Sequence, residues 1–181
     1  MLIILLKHIK HYKLKISTIV MNNYELLTIN LGLGAIVLLS YIYLKYAMDE
    51  GITVDQLWGN ITGNKRMLYW ISISLAACCY SYVIYYTTKN KDKSDLLYYG
   101  TFLMLIGASL WAPLLYANLV NNYSNIFTIL SLCLTSVGAI LLTIYLYNKG
   151  NLISKIAISY YLFHVLIMDN IIWSIMFTKN S

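Results

Sequence analysis

Five long apolar segments, separated by short polar connections, are the feature that most constrains the fold of this chain. They lie at about residues 26–48, 67–88, 96–120, 126–147 and 156–177. Each is close to the roughly 20 apolar residues that an α-helix needs to cross the hydrocarbon core of a bilayer. The composition agrees, because 60% of the 181 residues are hydrophobic and only 11% are charged. The sequence therefore predicts an all-α, polytopic integral membrane protein, built as a five-transmembrane-helix bundle.

These segments leave little chain for a separate soluble domain. We predict a basic amphipathic segment on the cytoplasmic side at residues 1–25, a transmembrane domain at 26–177 and a short tail at 178–181. The longest connection, Asp49–Arg66, is too short to fold alone. Within it, Thr53 and Gln56 have capping-box spacing, which predicts a short surface helix whose Leu57 and Trp58 dip into the lipid headgroups.

The N-terminal segment Met1–Met21 mixes leucine and isoleucine with lysine. This pattern is typical of a helix that lies on the membrane surface, with anionic lipid headgroups as its partners. A cleaved signal peptide is the alternative, but the lysines follow the apolar run Leu2–Leu6 where a signal peptide has them before it. His8 and His11 share a helical face, yet without a third ligand nearby a solvated polar face is favoured over a metal site.

The distribution of basic residues predicts the orientation, since cytoplasmic loops retain an excess of lysine and arginine. One predicted side of the membrane carries nine of the 13 basic residues: Lys7, Lys10, Lys13, Lys15, Lys89, Lys91, Lys93, Lys149 and Lys155. The other side carries Lys65, Arg66 and Lys179, with Lys45 at the outer end of the first segment. The N-terminus is therefore predicted in the cytoplasm and the C-terminus outside or in a lumen. The net charge of +6 reflects this bias, so no nucleic-acid partner is predicted.

Two ionisable residues lie inside the fifth apolar segment. His164 is near its middle and Asp169 is about 7 Å further along a helix, with Asn170 directly after it. Ionisable groups at such depth are costly and normally face protein or water. Residues five apart differ by about 140° around an α-helix. We therefore expect no close pair without distortion of the helix, and expect His164 and Asp169 each to find a partner on another helix.

Polar residues near the end of the third segment suggest where a ligand could bind. Trp111 precedes Pro113, and Asn118 lies at about the level of Asp169 or just beyond it. Together they predict a shallow polar pocket that opens outward between the third and fifth segments. The proposed ligand or ion-binding residues are His164, Asp169, Asn170, Trp111 and Asn118.

Small and polar residues recur at helical spacing in the fourth segment: Thr128, Ser131, Thr135 and Gly138. Such a stripe is typical of a face on which two membrane helices associate, and packing is favoured over a narrow pore.

The leading functional hypothesis is a membrane protein that binds or conducts a small ligand, a proton or a cation through the polar site on the fifth segment. In the competing hypothesis, a structural or assembly protein, the polar residues only fix helix packing. An enzyme ranks third, because the sequence has no H-E-x-x-H or G-x-S-x-G motif, and no motif names a cofactor. A homo-oligomer or a partner membrane protein is compatible with either of the first two hypotheses.

Overall fold

The computed structural model describes residues 23–49, 51–59, 61–90 and 94–178. The predictions for the basic amphipathic segment, including His8 and His11, and for the tail from Lys179 onward therefore lie outside the described residues. Within the described part the chain is helical, and no strand occurs there. Its elements are α1 (Asn23–Asp49), α2 (Val54–Trp58), α3 (Gly63–Lys89), α4 (Asp95–Asn121), α5 (Ile126–Lys149), α6 (Leu152–Phe163), a π-helix (His164–Trp173) and α7 (Ser174–Thr178).

Five helical segments in the described residues are long and apolar enough to cross a membrane. Four of them are α1, α3, α4 and α5, and the fifth is formed by α6, the π-helix and α7, which we call the C-terminal helix. Each matches one predicted apolar segment, and all five extend further at one or both ends. Polar residues define several of the starts. Ser94 begins α4 by accepting a hydrogen bond from the Leu97 amide, and Asn151 begins α6 by accepting one from the Ser154 amide.

The helices form a ring in which α1, α4, α5, the C-terminal helix and α3 follow one another. The pair α4 and α5 packs most closely, whereas α1 packs only loosely on α3, which closes the ring. The ends of α3 and α5 meet where the Tyr86 hydroxyl donates a hydrogen bond to the Lys149 carbonyl. We call this the lysine-rich end, and the end that carries α2 the opposite end.

Glycine residues permit the close approach of α4 and α5. A Cβ atom added to Gly107 would lie 2.6 Å from the Ser131 carbonyl oxygen, and one added to Gly138 would lie 2.6 Å from the Gly100 carbonyl oxygen. The small and polar stripe of α5 is buried, with Thr128, Ser131 and Thr135 all at most 5% exposed. This stripe is therefore a packing face within the bundle, as its spacing indicates.

The outer surface of the ring is apolar along the length of the helices. Large side chains exposed on this surface include Leu31, Leu38, Leu39, Ile42, Leu68, Ile71, Leu110, Leu130, Ile140, Ile144 and Ile156. An apolar surface of this extent is unusual for a soluble monomer and is the surface that lipid covers in membrane proteins.

Helix α2 begins with the capping box that the sequence predicts, because the Thr53 side chain accepts from the Gln56 amide and the Gln56 side chain accepts from the Thr53 amide. Leu57, however, is only 8% exposed. It packs inside the protein, so the expectation that it dips into headgroups is wrong. The reason is that the C-terminal helix reaches α2, where the Trp173 indole N–H donates to the Leu57 carbonyl at 3.2 Å.

Candidate functional site

His164 lies in the interior of the bundle, where the C-terminal helix faces α3. Its side chain is 6% exposed, and its Nδ1 atom shares a hydrogen bond of 2.8 Å with the Ser72 hydroxyl. The Ser72 hydroxyl also contacts the Tyr160 hydroxyl at 3.1 Å. Ser72 is placed for this role because it lies on the buried face of α3, together with Ala76 and Val83. The three polar groups form a continuous chain between two helices.

Asp169 approaches the other nitrogen of the same ring. Its Oδ1 atom lies 3.5 Å from His164 Nε2. The sequence predicts no close pair without distortion of the helix, and predicts that each residue finds a partner on another helix. His164 does so through Ser72, whereas Asp169 approaches His164 on its own helix. The physical reason is the π-helix that begins at His164, since its i→i+5 hydrogen bonds widen each turn and bring residues five apart to nearly the same face. The backbone thus departs from α-helical geometry at the point where the two residues approach each other.

Tertiary contacts accompany this wider helix. The Tyr69 hydroxyl on α3 donates a hydrogen bond to the Met168 backbone carbonyl, one residue before Asp169. The Tyr69 ring also meets the His164 ring edge to face, with centroids 6.1 Å apart. Helix α3 thus contacts both the backbone and a side chain of the π-helix. Long π-helices are rare, and short ones are frequent at functional sites.

Among the aromatic side chains, Tyr69 of α3 lies next to Asp169, through its hydrogen bond to the Met168 carbonyl and its ring contact with His164. The Asp169 side chain remains 30% exposed. The Asp169 side chain is therefore partly exposed, whereas its histidine partner is enclosed.

The structure separates the other predicted site residues from this pair. The Asn170 amide donates to the Ser136 hydroxyl of α5 at 3.2 Å. Asn118 donates to the Tyr123 carbonyl in the connection between α4 and α5. Asn170 thus bonds the C-terminal helix to α5, and Asn118 bonds α4 to the connection that follows it. The predicted polar pocket does not form around them.

Trp111 contributes to an aromatic cluster between α4, α1 and the C-terminal helix. Its ring centroid lies 5.7 Å from that of Tyr41 and 5.6 Å from that of Trp173. Trp173 is 3% exposed. Aromatic rings thus fill the space between the third and fifth segments, where the sequence predicts a polar pocket.

Sequence reasoning identified His164 and Asp169 but gave no site role to Ser72, Tyr160 or Tyr69. Ser72 lies on the buried face of α3, and this face touches the C-terminal helix. No feature of the sequence singled out these tyrosines among the 18 in the chain.

The site offers few ligands for a metal ion. Within the described residues, no group of three or more histidine, cysteine, aspartate or glutamate side chains could hold one. His164 and Asp169 alone provide two of the four ligands that a structural zinc site uses.

Serine, histidine and aspartate are also the members of a hydrolase triad, but their order around the ring differs here. In the triad the serine faces Nε2 and the carboxylate faces Nδ1. Here Ser72 faces Nδ1 and Asp169 faces Nε2. Ser72 is also 7% exposed and is bonded to Tyr160. The arrangement therefore differs from that of a hydrolase triad.

The chain matches no known protein family, no curated protein and no solved structure.

Proposed function

We propose that this chain is a multi-pass integral membrane protein with five membrane-spanning helices and a cytoplasmic N-terminus. The apolar outer surface of the ring supports the insertion of these helices into lipid. The placement of Lys89, Lys149 and Lys155 at one end of the ring supports the orientation, because basic residues accumulate on the cytoplasmic side.

Within this protein, the His164–Asp169 pair binds a proton or a small cation. The observation that carries this proposal is the π-helix, which brings a histidine and a carboxyl group together where an α-helix would separate them. A carboxyl group in a membrane interior is costly and commonly marks an ion or proton site. No lysine or arginine in the described part of the chain forms an ion pair with Asp169. A proton or a cation from outside the protein can neutralise the carboxylate in place of a lysine or arginine.

Infrared difference spectroscopy of the purified chain in mild detergent tests this proposal. We expect the carboxyl stretching band of Asp169 to change between about pH 5 and pH 8, the range in which histidine also titrates. Asp169→Asn should remove that band. Asp55→Asn is the matched control, because Asp55 pairs with Arg66 in a 72% exposed position and should leave the band unchanged. A wild-type spectrum without any band that depends on Asp169 would contradict the proposal.

A structural or assembly role is the second candidate, and specific contacts favour it. Ser72 bonds to His164, Tyr69 bonds to the Met168 carbonyl, and Asn170 bonds to Ser136. Each contact joins the C-terminal helix to a neighbouring helix, as polar residues do when they only fix packing.

Thermal unfolding of Asp169→Asn and His164→Leu separates the two candidates. If the pair serves binding, we expect both variants to unfold at or above the wild-type temperature, because functional sites are often retained at a cost in stability. The variants should also lose the part of the pH dependence of stability that belongs to the pair. A clear loss of stability in both variants, together with an unchanged pH dependence, would favour the structural role.

A further inference from the structure

The contacts on both nitrogens of the His164 ring narrow the ligand class of the site. On the premise that the proposed function holds, we propose that the ligand is a proton and that a chain of hydrogen bonds delivers it to the carboxyl group. The members of this chain, which we call the proton relay, are Tyr160, Ser72, His164 and Asp169.

The four groups follow one another in a single line. The Tyr160 hydroxyl lies 3.1 Å from the Ser72 hydroxyl, which lies 2.8 Å from His164 Nδ1. On the other side of the ring, Nε2 lies 3.5 Å from Asp169 Oδ1. The first two contacts are hydrogen bonds, whereas the third is about 0.5 Å too long for one. The last transfer therefore requires a small movement of the carboxyl group, and proton donors and acceptors often tighten in this way only during the reaction.

The middle of the relay is enclosed and its two ends are not. Ser72 and His164 are buried, whereas Tyr160 is half-buried and the Asp169 side chain is 30% exposed. From residue 160 to residue 169 the relay follows nine residues of the C-terminal helix, a rise of up to about 13 Å. This is more than a third of the roughly 30 Å hydrocarbon core. A proton can thus cross an enclosed part of the bundle without water between the groups.

The bonding capacity of these groups fixes the direction of each hydrogen bond. A hydroxyl group has one proton to donate, and a neutral imidazole donates from one nitrogen and accepts at the other. An ionised carboxylate can only accept, so His164 Nε2 carries the ring proton when Asp169 is charged. Nδ1 then accepts from Ser72, and Ser72 in turn accepts from Tyr160.

Proton uptake reverses this direction. A hydronium ion adds a proton to the Tyr160 oxygen, and the original phenolic proton passes to Ser72. The Ser72 proton moves to His164 Nδ1, and the Nε2 proton moves to Asp169 Oδ1. Each intermediate group gains one proton and loses one, so only the carboxylate changes its charge. His164 changes from the Nε2–H to the Nδ1–H tautomer, and the reverse sequence returns the proton to Tyr160.

A metal ion fits these groups less well than a proton does. Ser72 already occupies His164 Nδ1, so only Nε2 and the carboxyl group could face the ion. The nearby Met168 carbonyl already accepts from the Tyr69 hydroxyl. Calcium and magnesium ions require about six or more oxygen ligands. A proton requires only the acceptor that Asp169 provides.

Other titratable side chains lie near this part of the C-terminal helix without joining the relay. They are phenol and thiol groups, which carry no charge in their protonated forms. They include Tyr41 of α1, Tyr69 and Tyr80 of α3, Cys133 of α5 and Tyr161 of α6. No lysine or arginine of the described residues forms an ion pair with Asp169. The carboxyl and imidazole groups of the relay are therefore the ones whose protonation we follow.

Time-resolved infrared spectroscopy of the purified full chain in mild detergent tests the inference. The measured quantity is the rate at which the Asp169 carboxyl band appears after rapid acidification. Ser72→Ala removes the hydroxyl group between Tyr160 and His164, so we expect this rate to fall at least about tenfold. The band should still form at equilibrium, because Asp169 is intact. Tyr160→Phe should also slow the band, because it removes the hydroxyl group at which the proton enters.

Ser74→Ala is the matched control. Ser74 is exposed on the same helix and donates only to the Trp70 carbonyl, so its replacement should leave the rate unchanged.

Nitrogen-15 NMR of the histidine-labelled wild type supplies a second test that needs no substitution in the relay. The chain has three histidines, and His164→Leu identifies the signals of the ring in question. We expect the Nε2–H tautomer at high pH and the Nδ1–H tautomer once the Asp169 band has formed. A residue that only fixes packing has no reason to change its tautomer with the charge of Asp169.

Each result has a definite meaning. Equal rates for Ser72→Ala and the wild type, or an unchanged His164 tautomer, would overturn the relay. The proton would then enter directly at Asp169, and the proposed function would stand. Loss of the band when sodium replaces choline at constant pH and ionic strength would assign the site to a metal cation and also overturn the inference. If the wild type shows no band that depends on Asp169, the proposed function fails as well.

Discussion

The Ser72 hydroxyl group lies between His164 and Tyr160, at 2.8 Å from His164 Nδ1 and 3.1 Å from the Tyr160 hydroxyl. Ser72→Ala would leave the ring nitrogen of a buried histidine without this partner. We expect a loss of about 1–3 kcal/mol in the free energy of unfolding, the usual cost of a buried polar group that loses its hydrogen bond. Unfolding in a graded series of detergent mixtures measures the change.

Ser74→Ala is the matched control for this substitution. Ser74 lies on the exposed side of the same helix and donates only to the Trp70 carbonyl in the preceding turn. Its replacement should change the free energy of unfolding by less than about 0.5 kcal/mol. Equal effects of the two substitutions would show that the contact between Ser72 and His164 does not stabilise the protein.

At the scale of single residues, the sequence predicted His164 and Asp169 because ionisable groups stand out in an apolar segment. It did not predict that they pair. The sequence also predicted Asn118 and Asn170 as site residues, but the structure uses them in contacts with Tyr123 and with α5. An amide side chain can bind a ligand or form a contact within the protein. Which of the two it does depends on its neighbours in the fold.

At the scale of helices, the close approach of α4 and α5 depends on the absence of a side chain at Gly107. An added Cβ would lie 2.5 Å from the Thr135 hydroxyl oxygen and 2.6 Å from the Ser131 carbonyl oxygen. Gly107→Ala must therefore push the two helices apart. We expect it to lower the free energy of unfolding by about 1–3 kcal/mol, as overpacking typically does.

Gly34→Ala provides the comparison, because no heavy atom lies within 4 Å of the position that its Cβ would occupy. Alanine is the better helix former, so this change should be neutral or stabilising by up to about 1 kcal/mol. The same unfolding assay serves for both variants. A Gly107→Ala protein as stable as Gly34→Ala would contradict the backbone contact between α4 and α5.

The π-helix is the element that the sequence could not predict. Its ten residues, His164–Trp173, are as apolar as the α-helical segments around them. Helical periodicity assumes about 3.6 residues per turn, so it assigns each side chain to a face that the wider helix does not present. The contact from Tyr69 to the Met168 carbonyl involves residues 99 positions apart in the chain. A periodic pattern over neighbouring residues cannot predict contacts between positions so far apart in the chain.

At the scale of the whole molecule, apolar length was sufficient to predict five long apolar helices. The order of the helices around the ring was not predictable, because each helix is apolar around most of its circumference and so shows no single buried face. The candidate site depends on that order, since its side chains come from α3 and the C-terminal helix. This is why two of its ionisable residues were found from the sequence and their surroundings were not.

The proposed orientation predicts that the two ends of the ring lie on different sides of the membrane. In a variant that lacks Cys78, Cys79 and Cys133, Ser124→Cys and Lys149→Cys each place one thiol at an exposed position. Ser124 lies in the connection between α4 and α5 at the opposite end, and Lys149 ends α5 at the lysine-rich end. Because lysine-rich ends remain in the cytoplasm, an impermeant thiol reagent should label Ser124→Cys in intact cells. Lys149→Cys should react only after the cells are permeabilised.

These two positions are joined by α5 alone, whose 24 residues span about 36 Å, slightly more than the hydrocarbon core of a bilayer. Labelling of both from the same side would therefore mean that α5 does not cross the membrane, and the five-helix arrangement would be wrong. Labelling of Lys149→Cys alone in intact cells would keep the five crossings but invert them. In that case the side chains around Asp169, which lies in the half of the C-terminal helix nearer the opposite end, would be closer to the cytoplasm than to the outside.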